Sequence, residues 1–80
     1  MAAEALLEHL IRGVPQPIWV QYAQALLLAG YSIGRHQGCV RPAWLITIPD
    51  ASSCYVVARR QDGLWGAVPL GTGQQCDADP

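Results

Sequence analysis

A long uncharged segment constrains this chain more than any other feature. No acidic or basic side chain occurs between Arg12 and Arg35, in a chain of 80 residues that is 51% apolar and 14% charged. Apolar residues recur there at three- and four-residue spacing over residues 17–29, with Pro17 in the first turn and Gly30 after the end, which predicts a helix. A helix that is apolar on nearly all sides is typical of one enclosed on several sides, so we expect extensive burial.

An amphipathic helix is predicted before this segment, over residues 2–12. Its acidic residues lie near its start, where they suit the helix dipole, and Gly13 is expected to end it. His9 is expected on its solvent-exposed side. The apolar stripe expected to face the core consists of Leu6, Leu7, Leu10 and Ile11.

The C-terminal half predicts an antiparallel meander. Alternating apolar residues indicate strands over residues 44–49, 54–60 and 64–69, and Asp62-Gly63 is the signal of a two-residue hairpin turn. The glycine-punctuated segment 31–42 is compatible with a short strand or with a loop.

Pairing through that turn assigns each strand residue to one of two sheet faces, and it sets Arg60 opposite Trp65. The face expected to pack on the helices contains Trp44, Ile46, Ile48, Tyr55, Val57, Arg59 and Val68. The opposite face contains Leu45, Thr47, Cys54, Val56, Ala58, Arg60, Trp65 and Ala67.

These elements predict an α+β fold, in which two N-terminal helices pack on one face of a three- to four-stranded antiparallel β-sheet meander. Residues 1–70 are expected to form a single compact domain. Residues 71–80 lack apolar periodicity and are expected to be a disordered tail.

Motifs for catalysis and cofactor binding are sparse. His36 and Cys39 have a spacing compatible with metal ligation, and Cys54 would extend them to a weak zinc set. A loop histidine and a cysteine packed as a small apolar residue explain the same positions. We therefore predict a protein without catalytic residues, without a bound metal and without a cofactor.

Nucleic-acid binding is the alternative hypothesis. With five arginines, no lysine and a net charge of -1, the chain lacks the electrostatic footprint typical of proteins that bind DNA or RNA in general. A more specialised regulator would use Arg35, Arg41, Arg59 and Arg60.

The uncharged segment contains two prolines and three glutamines, which argue against a membrane span. Two features indicate a reducing cytoplasm. The three cysteines are odd in number, whereas a disulfide framework favours an even count. The N-terminal segment contains Glu4 and Glu8 where a secretory signal would have basic residues.

The excess of apolar residues is the strongest functional indication. One small body cannot enclose both an apolar helix and a half-apolar outer sheet face. We therefore expect a non-catalytic protein-binding module, which docks on another protein or on a second copy of itself, as in a homodimer, through the outer sheet face and the second helix. The expected partner-binding residues are Trp65, Arg60, Leu45, Val56, Trp19 and Tyr22.

The composition is also analogous to that of small phage or prophage proteins that inhibit a host protein complex, such as anti-CRISPR proteins. The analogy rests on three properties of this chain: it is short, it has arginine but no lysine, and it lacks catalytic motifs. The analogy concerns composition alone and no family motif is recognised.

Overall fold

Two helices precede a four-stranded sheet in the computed structural model, which describes residues 2–37, 42–49, 51 and 53–70. The elements are α1 (Ala3–Arg12), α2 (Gln16–Leu28), β1 (Ser32–Arg35), β2 (Ala43–Thr47), β3 (Cys54–Arg59) and β4 (Trp65–Pro69). The strands are antiparallel in the order β1-β2-β3-β4, and both helices pack on one face of the sheet. The predicted α+β class is confirmed, and the undecided segment contributes β1. The predicted tail, Cys39 and Arg41 lie outside the described residues.

Glycine ends both helices, as the sequence predicts. Gly13 has φ 104°, and its N–H donates to the carbonyl oxygens of His9 and Leu10. After α2, Gly30 has φ 96° and the Tyr31 N–H donates to the Leu26 carbonyl oxygen at 3.0 Å. This bond and the burial of both Tyr31 and Leu26 form a Schellman-type end, which directs the chain from α2 into β1.

The core lies between the helices and one face of the sheet, which we name the inner face. Leu10, Leu26, Ile46 and Val57 are its largest fully buried side chains. The inner face also contains Ile33, Trp44, Ile48, Tyr55, Trp65 and Ala67. The opposite side of the sheet, the outer face, contains Ala43, Leu45, Cys54, Val56, Ala58 and Val68.

The predicted register of the β3–β4 hairpin is wrong by one residue. Arg59, and not Arg60, lies opposite Trp65. The loop contains three residues, because the Arg60 N–H donates to the Leu64 carbonyl oxygen at 2.7 Å and Gly63 adopts φ 88°. Since side chains alternate between faces, the shift places Trp65 on the inner face and Val68 on the outer face.

The predicted enclosure of α2 is also wrong, because the helix is buried on one side only. Trp19 and Leu26 are buried there, whereas Leu27 is exposed. In α1, Ile11 is exposed, and His9 is half-buried with its ring centroid 6.1 Å from that of Tyr22. The helices therefore leave more apolar surface uncovered than the sequence pattern predicts.

Candidate protein-interaction surfaces

The side of α2 that faces away from the core is apolar and uncharged. The exposed fraction is 48% for Val20, 52% for Leu27 and 91% for Leu28. At about 100° per residue, these three side chains surround the exposed Gln24 within one sector of the helix. We name Val20, Leu27 and Leu28 the α2 apolar side.

The α2 apolar side includes the flank of the helix that faces away from α1. Tyr22 contacts His9 of α1, and helical geometry places Val20 and Leu27 about 140–160° from Tyr22. Since α1 packs against β4 and α2 against β1, this flank lies on the β1 side of the molecule.

The neighbouring edge of β1 has backbone groups that no described residue pairs with. The His36 N–H donates to the Ala43 carbonyl oxygen at 2.9 Å. Because backbone groups alternate in direction along a strand, those of Gly34 and Ser32 also point toward β2. The N–H and C=O groups of Ile33 and Arg35 point the other way. Within the described part of the chain, no strand pairs with this edge.

The opposite edge of the sheet is protected. Val14 pairs with Trp65 through two backbone hydrogen bonds of 2.9 and 2.8 Å, and Pro15 follows it. Farther along β4, Pro69 has no N–H to offer a further strand. Only β1 therefore combines an unpaired edge with an adjacent exposed apolar helix, among the four described strands.

The outer face presents less exposed apolar area than the sequence predicts. Leu45 and Val56 lie on it as expected, but Val56 is buried and Leu45 is half-buried. Val68 is 54% exposed and is the large exposed hydrophobic residue of this face among the described residues.

Trp65 contributes to the core rather than to an exposed face. Its ring stacks on that of Trp19, with centroids 6.4 Å apart and planes at 16°. Part of its surface lines an open groove of about 530 Å³ at the end of the sheet. The groove is lined by Pro42, Arg59, Arg60, Gln61 and Trp65.

Arg60 stabilises the fold locally, which corrects its expected place on an exposed sheet face. Its Nη1 donates to the Arg12 carbonyl oxygen at 2.7 Å, and its Nη2 lies 2.9 Å from Asp62 Oδ2. The guanidinium thus binds a carbonyl at the C-terminal end of α1, which has no partner within the helix. Arg60 therefore connects α1 to the β3–β4 hairpin.

Replacing Arg60 by alanine should lower the free energy of unfolding by about 1 kcal/mol, because one charged hydrogen bond and one exposed ion pair are lost. The matched variant Arg59→Ala removes a guanidinium for which the described residues provide no hydrogen bond, and should change stability by less than about 0.5 kcal/mol. Urea denaturation measures both. Equal losses in the two variants would contradict the assigned role of Arg60.

The weak zinc set is not assembled by the described residues. His36 follows β1 at one end of the sheet, and Cys54 begins β3 at the other end. The two residues are four positions apart along the strand direction, which separates them by about 13 Å. A zinc ion binds each of its donors at about 2 Å, so these two side chains are too far apart to share one ion. The same separation prevents direct catalysis by this histidine and thiol.

The arginines of the nucleic-acid alternative do not form one described patch. The side chain of Arg60 is engaged by Asp62 and by the end of α1, and Arg41 lies outside the described residues. Arg35 and Arg59 are exposed but lie on non-adjacent strands, two positions apart in register. This alternative stays a prediction.

The two α2 residues predicted to bind a partner do not lie on the exposed side of that helix. Trp19 is buried and Tyr22 is half-buried, because both point toward the sheet and α1. Their spacing with Leu26 marks the buried side. The helical positions that face away from this buried side include Val20 and Leu28, so the same spacing indicates that these two side chains are exposed.

No family model, curated protein or solved structure matches this chain. Neither described helix has the length and apolar character required to cross a bilayer.

Proposed function

We propose that this chain is a non-catalytic protein-binding module that docks a partner on the α2 apolar side. The observation that carries the proposal is the exposure of Val20, Leu27 and Leu28 on a helix without any charged residue. Complete burial of a side chain of this kind contributes about 1.5–3 kcal/mol, so even partial burial of all three provides substantial binding energy.

The other surfaces supply less apolar area. On the outer face, only Val68 adds a large exposed hydrophobic side chain among the described residues. The groove at the end of the sheet has an exposed guanidinium, that of Arg59, beside the Trp65 ring. That combination suits an acidic side chain at the rim of an interface, where one charge changes affinity little.

The expected cellular setting belongs to this proposal. The odd number of cysteines fits a reducing cytoplasm. The compositional analogy with phage and prophage inhibitors suggests a host protein complex as one class of target. An uncharged apolar side on a helix suits a partner with a matching apolar groove or helix.

Site-specific photocrosslinking in the cells that naturally express the chain tests this function. A photoreactive residue at position 24, in the centre of the α2 apolar side, should form one defined protein adduct. The same residue at position 8, on the exposed side of α1, should form at least about ten times less, because α1 lacks an equivalent apolar surface.

A charge variant makes the test specific. Leu28→Glu should abolish the adduct from position 24, since binding would desolvate a carboxylate without a partner. Gln61→Glu adds the same charge on the exposed hairpin and should leave the adduct unchanged. Equal adducts from positions 24 and 8, or an adduct insensitive to Leu28→Glu, would overturn the proposal.

A further inference from the structure

The unpaired edge of β1 is complementary to itself. An antiparallel edge presents its N–H and C=O groups in the same arrangement after rotation about a two-fold axis. With that axis at Gly34, Ile33 lies opposite the partner's Arg35, and both residues point their free backbone groups across the junction. Each of the two symmetric pairs exchanges two hydrogen bonds, which gives four between the copies.

Side chains favour this register. Gly34 has no side chain at the axis, where the two backbones approach most closely. Arg35 faces the partner's Ile33 rather than a second guanidinium, so like charges are not directly opposed.

The flank of α2 that contains Val20 and Leu27 extends the contact between the two copies from the sheet to the helices. Val20 and Leu27 lie on the β1 side of the molecule, and a second copy brings its own Val20 and Leu27 to the same place. Because α2 has no charged residue, the two flanks contribute no charge to the contact, and the exposed Arg35 guanidinium, which lies on the same side of β1, must stay solvated at its rim. A second copy therefore supplies both an edge with matching backbone groups and a matching uncharged helix.

We propose that the partner at the Val20 and Leu27 flank of the α2 apolar side is a second copy of this chain, joined through β1 in a two-fold dimer with one continuous eight-stranded sheet. This inference rests on the proposed function and names its partner. Four strands per copy give the eight, and all four helices lie on one face.

The dimensions predict a weak dimer. The 13 residues of α2 span about 20 Å, and the helix and sheet layers are each about 10 Å thick, so the junction covers about 400 Å² in projection. A standard interface buries about 800 Å² per partner, so we expect weak association, with a dissociation constant on the order of 50 µM.

Sedimentation equilibrium measures the assembly directly. Between about 5 and about 500 µM, the mass should rise from the 8.6 kDa of one chain toward twice that value. Amide hydrogen exchange at Ile33 and Arg35 should slow by at least about tenfold over the same range, because their outward N–H groups become bonded. A monomer at every concentration, or exchange at these two amides that does not change with concentration, would overturn the dimer.

Two matched pairs of variants locate the junction. Arg35→Pro removes an outward N–H and should weaken the dimer at least about tenfold, whereas Arg35→Ala keeps the N–H and should retain it. Leu27→Glu should weaken the dimer similarly, and Val68→Glu on the outer face should not. Loss of the dimer in Val68→Glu alone would overturn this geometry in favour of pairing through the outer face. The exchange data on the unmodified chain decide the matter even if Arg35→Pro fails to fold.

The crosslinking experiment separates this inference from the proposed function. An adduct from position 24 with a mass of two chains supports both. An adduct with a different protein, from a chain that sediments as a monomer, overturns the dimer and leaves the proposed function intact. Absence of any adduct overturns the proposed function.

Discussion

Replacing Trp65 by alanine should lower the free energy of unfolding by about 3 kcal/mol, near the lower end of the range for a tryptophan in a core. The reason is the inward position of the side chain, where its ring stacks on Trp19. Val68→Ala, on the same strand but on the outer face, should cost less than about 1 kcal/mol because that side chain is 54% exposed. Urea denaturation at low micromolar concentration, where self-association is minimal, measures both.

This pair of variants tests the register of the hairpin. A two-residue turn at Asp62-Gly63 would direct Val68 into the core and Trp65 outward. In that case Val68→Ala would be the more damaging change, and Trp65→Ala would mainly affect partner binding. A larger loss for Val68→Ala would therefore contradict the inner and outer faces described above.

Leu26→Ala should destabilise the fold by about 3 kcal/mol, because Leu26 is fully buried and its removal leaves a cavity. Leu28→Ala, two residues later in the same helix, should change stability by less than about 0.5 kcal/mol, since Leu28 is 91% exposed. The two variants delete the same atoms, so their difference isolates burial. Thermal or urea unfolding followed by circular dichroism measures it.

Leu28 should be important for photocrosslinking from position 24, although it contributes little to stability. Leu28→Ala should reduce the adduct from position 24 although the fold is unchanged. Equal stability losses for the two leucines would mean that both sides of α2 are enclosed, which would remove the basis of the proposed docking surface.

Local signals in the sequence predicted most of the architecture. The apolar spacing and Gly13 predicted α1 to within one residue, and Pro17 and Gly30 bracketed α2. Alternation predicted β2, β3 and β4, and placed Trp44, Ile46 and Val57 on the inner face. These elements are specified by periodicity and by end signals that act over a few residues.

The hairpin register could not be read from the same signals. Asp-Gly suits a two-residue turn, but the chain forms a three-residue loop in which the Leu64 N–H donates to Asp62 Oδ1 at 3.0 Å. The shift lets Trp65 reach Trp19, so packing across the core determines the register. A difference of one residue in a loop moved the most prominent predicted binding residue into the core.

The candidate site was predictable only in outline. The excess of apolar residues indicated that some surface would stay exposed, and α2 was one of the two places predicted for it. Which side of α2 is exposed depends on where α1 lies, and the unpaired edge depends on the strand order. Both are tertiary features, which explains why Trp19 and Tyr22 were expected at the surface and Leu28 was not.

Photocrosslinking from position 24 tests the central claim most directly, with position 8 and the Leu28→Glu variant as references. We predict one defined protein adduct from position 24 that Leu28→Glu abolishes and that position 8 does not form. Equal adducts from both positions, or an adduct that persists in Leu28→Glu, would contradict docking on the α2 apolar side.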